Sequence, residues 1–200
     1  MSAKEKTKSN IEDARLLLKP YLAEGVIFDI DGTLADSWKL GFDATQVVLK
    51  NQNIPLITEE LYHECTRYST PNRLARHAGL LPDEDEEFEA VGQKLADEFD
   101  ELYVGLVSME TAGFYDGIQE LILTLPSKTG MGRDVKVAAL TNACAAYAHA
   151  VFRTNCPVIS KGREGPGIYE RFDSIHGADT VAKPKPHPDG LFQCCELRGD

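Results

Sequence analysis

No uninterrupted apolar run in these 200 residues approaches the roughly 18 that mark a membrane-spanning helix. The first ten residues, MSAKEKTKSN, contain neither the apolar stretch of a secretory signal nor the Arg-rich, acid-poor character of a transit peptide, so the expected location is the cytoplasm. Positive charge is scarce too. Lysine and arginine number 21 against 32 acidic residues, a net charge of −11. A broad basic face for displacing counterions from nucleic acid is hard to build from that balance, and small solutes are the expected partners. The five cysteines are odd in number and form no C-x-x-C pair, which argues against a secreted disulfide framework and against a zinc site. No two histidines have metal-ligand spacing of the H-E-x-x-H kind, and no internal repeat is visible.

Apolar residues at 42% and charged residues at 26% describe an ordinary globular chain, long enough to bury roughly 70% of its unfolded surface. IEDARLLLKPYL predicts an introductory helix within residues 1–24. Val26-Ile27-Phe28 is short, apolar and β-favouring and runs into Asp29-Ile30-Asp31-Gly32, the pattern of a buried strand feeding a tight turn. From about Trp38 to Gly113 the periodicity is helical. Phe88, Val91, Leu95, Phe99, Leu102 and Leu106 fall at spacings of three and four, while Thr58-Glu59-Glu60 and Pro71 mark two further helix starts. Three or four helices are expected there. Val135–Leu140 predicts a second strand ending in Thr141-Asn142, ACAAYAHAVF a helix, and Ser174–His176 a third strand. Strands alternating with helices imply an α/β fold with a parallel sheet.

A strand repeats every two residues, so Asp29 and Asp31 should emerge on one side at its carboxyl end, where ligands bind in open α/β sheets. Two carboxylates there repel unless a hard cation such as Mg²⁺ offsets their charge. Gly32 and Thr33 should turn the chain so that backbone amides face a phosphate. Thr141 follows the second strand as Asp29 follows the first, so its hydroxyl could donate to a phosphoryl oxygen with help from Asn142; a simple helix cap is the plainer alternative. In KPKPHPDG the prolines hold the preceding residues extended. Either Lys183 or Lys185 could present a compact positive charge to a phosphoryl group, and position in the motif favours Lys183. Arg67, Asn72, Arg73 and Arg76 are candidate contacts for a substrate anion, against the alternative of ordinary helix-surface residues.

FDIDGTLADS, LTNA and KPKPHPD, in that order, resemble three motifs of the haloacid dehalogenase superfamily of hydrolases, and the helical stretch after the first motif resembles the C1 cap of its phosphoglycolate phosphatase-like and β-phosphoglucomutase-like branches. The resemblance implies a Rossmann-like core from 25–37 and 113–200, a helical cap over 38–112 and an N-terminal extension over 1–24. It further implies a Mg²⁺-dependent phosphatase acting on a small phosphorylated metabolite. Asp29 would form an aspartyl phosphate, Asp31 would act as acid and base, and Thr141 and Lys183 would stabilise charge on the phosphoryl group. Mg²⁺ would be held by the Asp29 carboxylate and the Asp31 backbone carbonyl; from the reading of the residues themselves, Gly32, Thr33, Asn142 and Arg73 are the expected phosphate or substrate contacts.

The family's fourth motif, a G-D-x-x-x-D sequence after a further strand, supplies another metal carboxylate. Gly199-Asp200 is not expected to be that motif: 199 − 183 leaves 16 positions, too few for a helix of about 11 residues, a connection of about 5 and a strand of about 5. A shortened or truncated chain is therefore expected. The alternatives to a phosphatase are a phosphomutase and a non-catalytic binding or regulatory protein.

Overall fold

The computed structural model describes residues 25–125, 135–156 and 167–196. The expected helix before residue 25, the loop at 157–166 and Gly199-Asp200 lie outside the described residues. Three strands, β1 (Gly25–Phe28), β2 (Lys136–Leu140) and β3 (Ser174–His176), form a parallel sheet in the order β1-β2-β3. The central strand β2 is buried from Val137 to Leu140, as its apolar run demands. Strand β1 departs from expectation. Val26, Ile27 and Phe28 are only half-buried, because among the described residues β1 pairs with β2 alone.

Four helices separate β1 from the return of the chain: α1 (Trp38–Asn51), α2 (Glu59–Cys65), α3 (Thr70–His77) and α4 (Phe88–Gly105). Thr58 caps α2, its hydroxyl accepting from the Leu61 amide, and Pro71 lies in the first turn of α3, where a missing N–H costs nothing. The chain leaves and re-enters the α/β part at one point. Asp36 N–H donates to Gly113 O and Tyr115 N–H to Leu34 O, each at 2.9 Å.

After the insert come α5 (Ile118–Thr124), then β2, α6 (Ala145–Asn155), a short 3₁₀ turn (Tyr169–Arg171), β3 and α7 (Asp189–Glu196). The apolar face of α4 (Leu95, Ala96, Phe99, Tyr103) and that of α6 (Tyr147, Ala148, Val151, Phe152) belong to one continuous core with Ile30, Leu34 and Ala139. Burial of this contiguous surface is what holds the insert against the sheet end. Helix α7 packs over β2 through Cys194, Ala138 and Leu140. All five cysteines are free thiols, three of them buried.

Candidate active site

Asp29 and Asp31 leave the carboxyl end of β1 through a tight turn in which Gly32 has a positive φ of 71°, a conformation only glycine adopts without strain. Thr141 leaves the end of β2, and Lys185 lies in the Pro184–His187 turn that introduces α7. Together with Arg73 on α3 and aromatic residues of the insert they line a cavity of about 570 Å³.

Asp29 and Lys185 form the floor. Lys185 Nζ lies 2.6 Å from Asp29 Oδ1 and also donates to Leu140 O at 3.0 Å, tying the ends of β1 and β2 together. Lys183, the residue favoured by sequence, is exposed and lines no part of the cavity. The repeat K-P-K-P gives both lysines the same local signal; the turn leading into α7, seated on β2, brings the second one to the strand ends.

Asp31 is enclosed by hydroxyls. Its Oδ1 accepts from Ser37 Oγ (2.7 Å), Tyr147 OH (2.7 Å) and Tyr103 OH (3.2 Å), and its Oδ2 from Thr141 Oγ1 (2.7 Å). Three donors crowd Oδ1 and one reaches Oδ2, which leaves Oδ2 a free acceptor site. Burial, followed by the nearby Asp31 charge, pushes the Tyr103 and Tyr147 phenols well above their ordinary range, so both remain donors. Gly41 makes room for this group of hydroxyls: a Cβ there would collide with the Tyr62 hydroxyl and approach that of Tyr103 to 3.7 Å.

Two further placements differ from the sequence expectation. The Gly32 amide donates to Ala35 O at 3.0 Å and the Thr33 amide to Ile30 O at 3.2 Å. Both amides are spent inside the turn, and neither is offered to a ligand. Thr33 Oγ1 instead points at Asp29 Oδ2, at 3.4 Å. Thr141 spends its proton on Asp31 and accepts from the Ala143 amide. Asn142 Nδ2 donates to Lys185 O at 3.1 Å and to Arg67 O at 3.3 Å, joining the lysine turn to the insert.

Arg73 is 6% exposed, yet it borders the cavity. Its guanidinium lies 4.8 Å from the Phe99 ring centre and 5.2 Å from that of Tyr62, and Nη1 donates to Thr45 Oγ1 at 2.8 Å. No carboxylate pairs with it among the described residues. A cation held this way keeps N–H groups for an anion entering the cavity. Arg67 also lines the cavity, whereas Arg76 and Asn72 bond to each other and Arg76 covers the Tyr68 ring at 4.2 Å.

Residues 23–199 match the haloacid dehalogenase-like hydrolase family. The chain belongs to that family. This hydrolase is 28% identical over 180 residues to Probable phosphatase IndB of Dickeya dadantii (strain 3937), covering 88% of this chain and 68% of the relative. Its fold matches CbbY of Rhodobacter sphaeroides in complex with phosphate, with a TM-score of 0.64 at 23% identity over 88% of this chain and 72% of the other. The D10N mutant of CbbY in complex with xylulose-(1,5)bisphosphate matches at 0.61 with 22% identity and the same coverage. A provisionally named phosphoglycolate phosphatase of Lactobacillus plantarum matches at 0.65 with 18% identity over 88% and 71%. These neighbours share the α/β architecture of the hydrolase.

Among the described residues no group of three or more His, Cys, Asp or Glu converges as a metal site. Asp29 nevertheless presents hard oxygen to the cavity, with a side chain 43% exposed and an Oδ2 whose neighbour is the distant Thr33 hydroxyl. Such a donor suits strongly hydrated Mg²⁺, which binds through one or two carboxylates and keeps several waters; it does not suit Zn²⁺, which takes four nitrogen or sulfur ligands in structural sites. No helix among the described residues is long and apolar enough to cross a membrane.

Proposed function

We propose that this hydrolase is a Mg²⁺-dependent phosphatase that cleaves a small phosphate monoester through an aspartyl phosphate on Asp29. The observation that carries it is the Asp29–Lys185 pair at the floor of a cavity that also holds the carboxylate-free cation Arg73. Asp29 attacks phosphorus as the bond to the leaving oxygen breaks, and Asp31 gives that oxygen its proton. Asp31 then takes a proton from water, whose oxygen attacks the phosphoryl group. The Asp29–phosphorus linkage breaks and inorganic phosphate leaves. Lys185 balances charge on the phosphoryl oxygens. The Asp29 carboxylate and the Asp31 backbone carbonyl would hold Mg²⁺, which supplies charge neutralisation for the transferring group.

Arg73 supports a narrower substrate class: a phosphate ester carrying a second anionic group, as phosphoglycolate does. The chain with Mg²⁺ is expected to release phosphate from a panel of such esters and from an aryl phosphate, and Asp29→Asn to abolish both activities. Full activity of that variant, or an isomeric sugar phosphate as product in place of phosphate, overturns the proposal.

A further inference from the structure

Asp31 receives its hydroxyls from four parts of the chain: Ser37 at the N-cap of α1, Thr141 at the end of β2, Tyr147 from α6, and Tyr103 from α4 of the insert. The two tyrosines are one unit. Their rings stack with centres 4.0 Å apart and 17° between planes, and both hydroxyls converge on the same oxygen, Asp31 Oδ1. Tyr147 is fully buried and Tyr103 nearly so. Phe99 continues the aromatic stack on the insert side at 4.7 Å, so neither phenol can move without disturbing packed rings. Gly41, with no side chain to obstruct them, lies alongside.

From this arrangement we infer that Tyr147 and Tyr103 are positioning residues for Asp31, fixing the direction of its carboxyl group. The inference rests on the phosphatase reading above. The consequence is a division of labour. Tyr147 and Thr141, fixed to the α/β part, grip Oδ1 and Oδ2 and set the plane of the carboxyl group. Tyr103 adds its bond from α4 of the insert. Three of the four hydroxyls converge on Oδ1 and only Thr141 reaches Oδ2, so Oδ2 keeps a lone pair at which the carboxyl group can carry the proton it delivers. Positioning of this kind affects proton delivery and leaves the attack of Asp29 untouched.

The test uses leaving groups. An alkyl phosphate needs its leaving oxygen protonated, whereas a nitrophenyl phosphate leaves without help, and kcat/KM reports the step up to formation of the aspartyl phosphate. Tyr147→Phe and Tyr103→Phe keep the ring stack and remove one hydroxyl each. Each is expected to lower kcat/KM for the alkyl ester about ten-fold or more and to change that for the nitrophenyl ester less than about two-fold. In an Asp31→Asn background the same changes should have no further effect on the alkyl ester. Equal losses on both esters, or a full additional loss in the Asp31→Asn background, overturn the positioning role while leaving the phosphatase reading intact. Turnover that survives Asp29→Asn overturns both. If Tyr147→Phe does not fold, as judged by its melting transition, Tyr103→Phe decides by the same ratio.

Discussion

Asp29 Oδ1 and Lys185 Nζ lie 2.6 Å apart although 156 positions separate them in the chain. The same ammonium also reaches Leu140 O, so one lysine holds two strand ends at a fixed spacing while its charge faces the cavity. Lys185→Ala is expected to reduce kcat by about 10² to 10³, the range for losing one group that stabilises developing negative charge. Lys183→Ala should stay within about two-fold of the parent, since that side chain is exposed and borders no part of the cavity. Phosphate-release kinetics on the two variants side by side check this, and equal losses would count against the assignment of Lys185.

Arg73 is the corresponding cation on the insert side. Arg73→Met keeps most of the volume between Tyr62 and Phe99 and removes the fork of N–H donors. KM for a phosphate ester with a second anionic group should rise about ten-fold or more, with KM for an aryl phosphate whose only anionic group is the phosphate changing little, consistent with the ~1.4 kcal/mol of a single charge-assisted contact. An equal effect on both substrates would point to packing in place of recognition.

Asp100 on α4 presents a different balance. Burial pushes its carboxyl up from the ordinary 3.8 to about 6, and its Oδ1 has no hydrogen-bond partner. The folded chain therefore binds this proton more tightly than the unfolded chain. The stabilisation is complete below pH 3.8 and is lost as pH rises through about 6. Asp100→Asn cannot ionise, so melting temperatures of the variant should fall less than those of the parent between pH 4 and pH 8. The difference at the upper end corresponds to on the order of 3 kcal/mol. Parallel melting curves across that range would contradict it.

Asn155, fully buried at the end of α6, clamps the return of the insert. Its Oδ1 accepts from the Phe114 amide at 2.7 Å and its Nδ2 donates to Ala112 O at 2.9 Å. Asn155→Ala leaves both backbone groups buried and unpaired, and should cost about 2–4 kcal/mol. Urea denaturation measures it, with the slope of the transition unchanged.

Much of this was legible before any coordinates. Strand β2 could be read from Val135–Leu140 and β3 from Ser174–His176 because apolar runs bounded by polar turns have few alternative structures, and the helix starts at Thr58 and Pro71 carry local chemistry of their own. That Asp29 and Asp31 follow directly on β1 and border one cavity was legible from the apolar run that ends in D-x-D-G. Lys185 was not separable from Lys183, because both precede a proline in the same tetrapeptide and the choice depends on how α7 packs over β2. Tyr103 and Tyr147 carried no signal at all. They lie 72 and 116 positions from Asp31, and on their own helices they read as ordinary members of an apolar face. Nor could the sequence show that the Gly32 and Thr33 amides bond within their own turn.

The two backbone bonds joining Leu34–Asp36 to Gly113–Tyr115 have a consequence for how such a chain can change over time. Because the segment from residue 38 to residue 112 starts and ends at hydrogen-bonded neighbours, its length never enters the register of the parallel sheet. A segment of another length could be joined at that waist without shifting the pairing of β1 with β2. The insert is thus free in length yet not independent of the sheet end, since its Tyr103 still reaches Asp31.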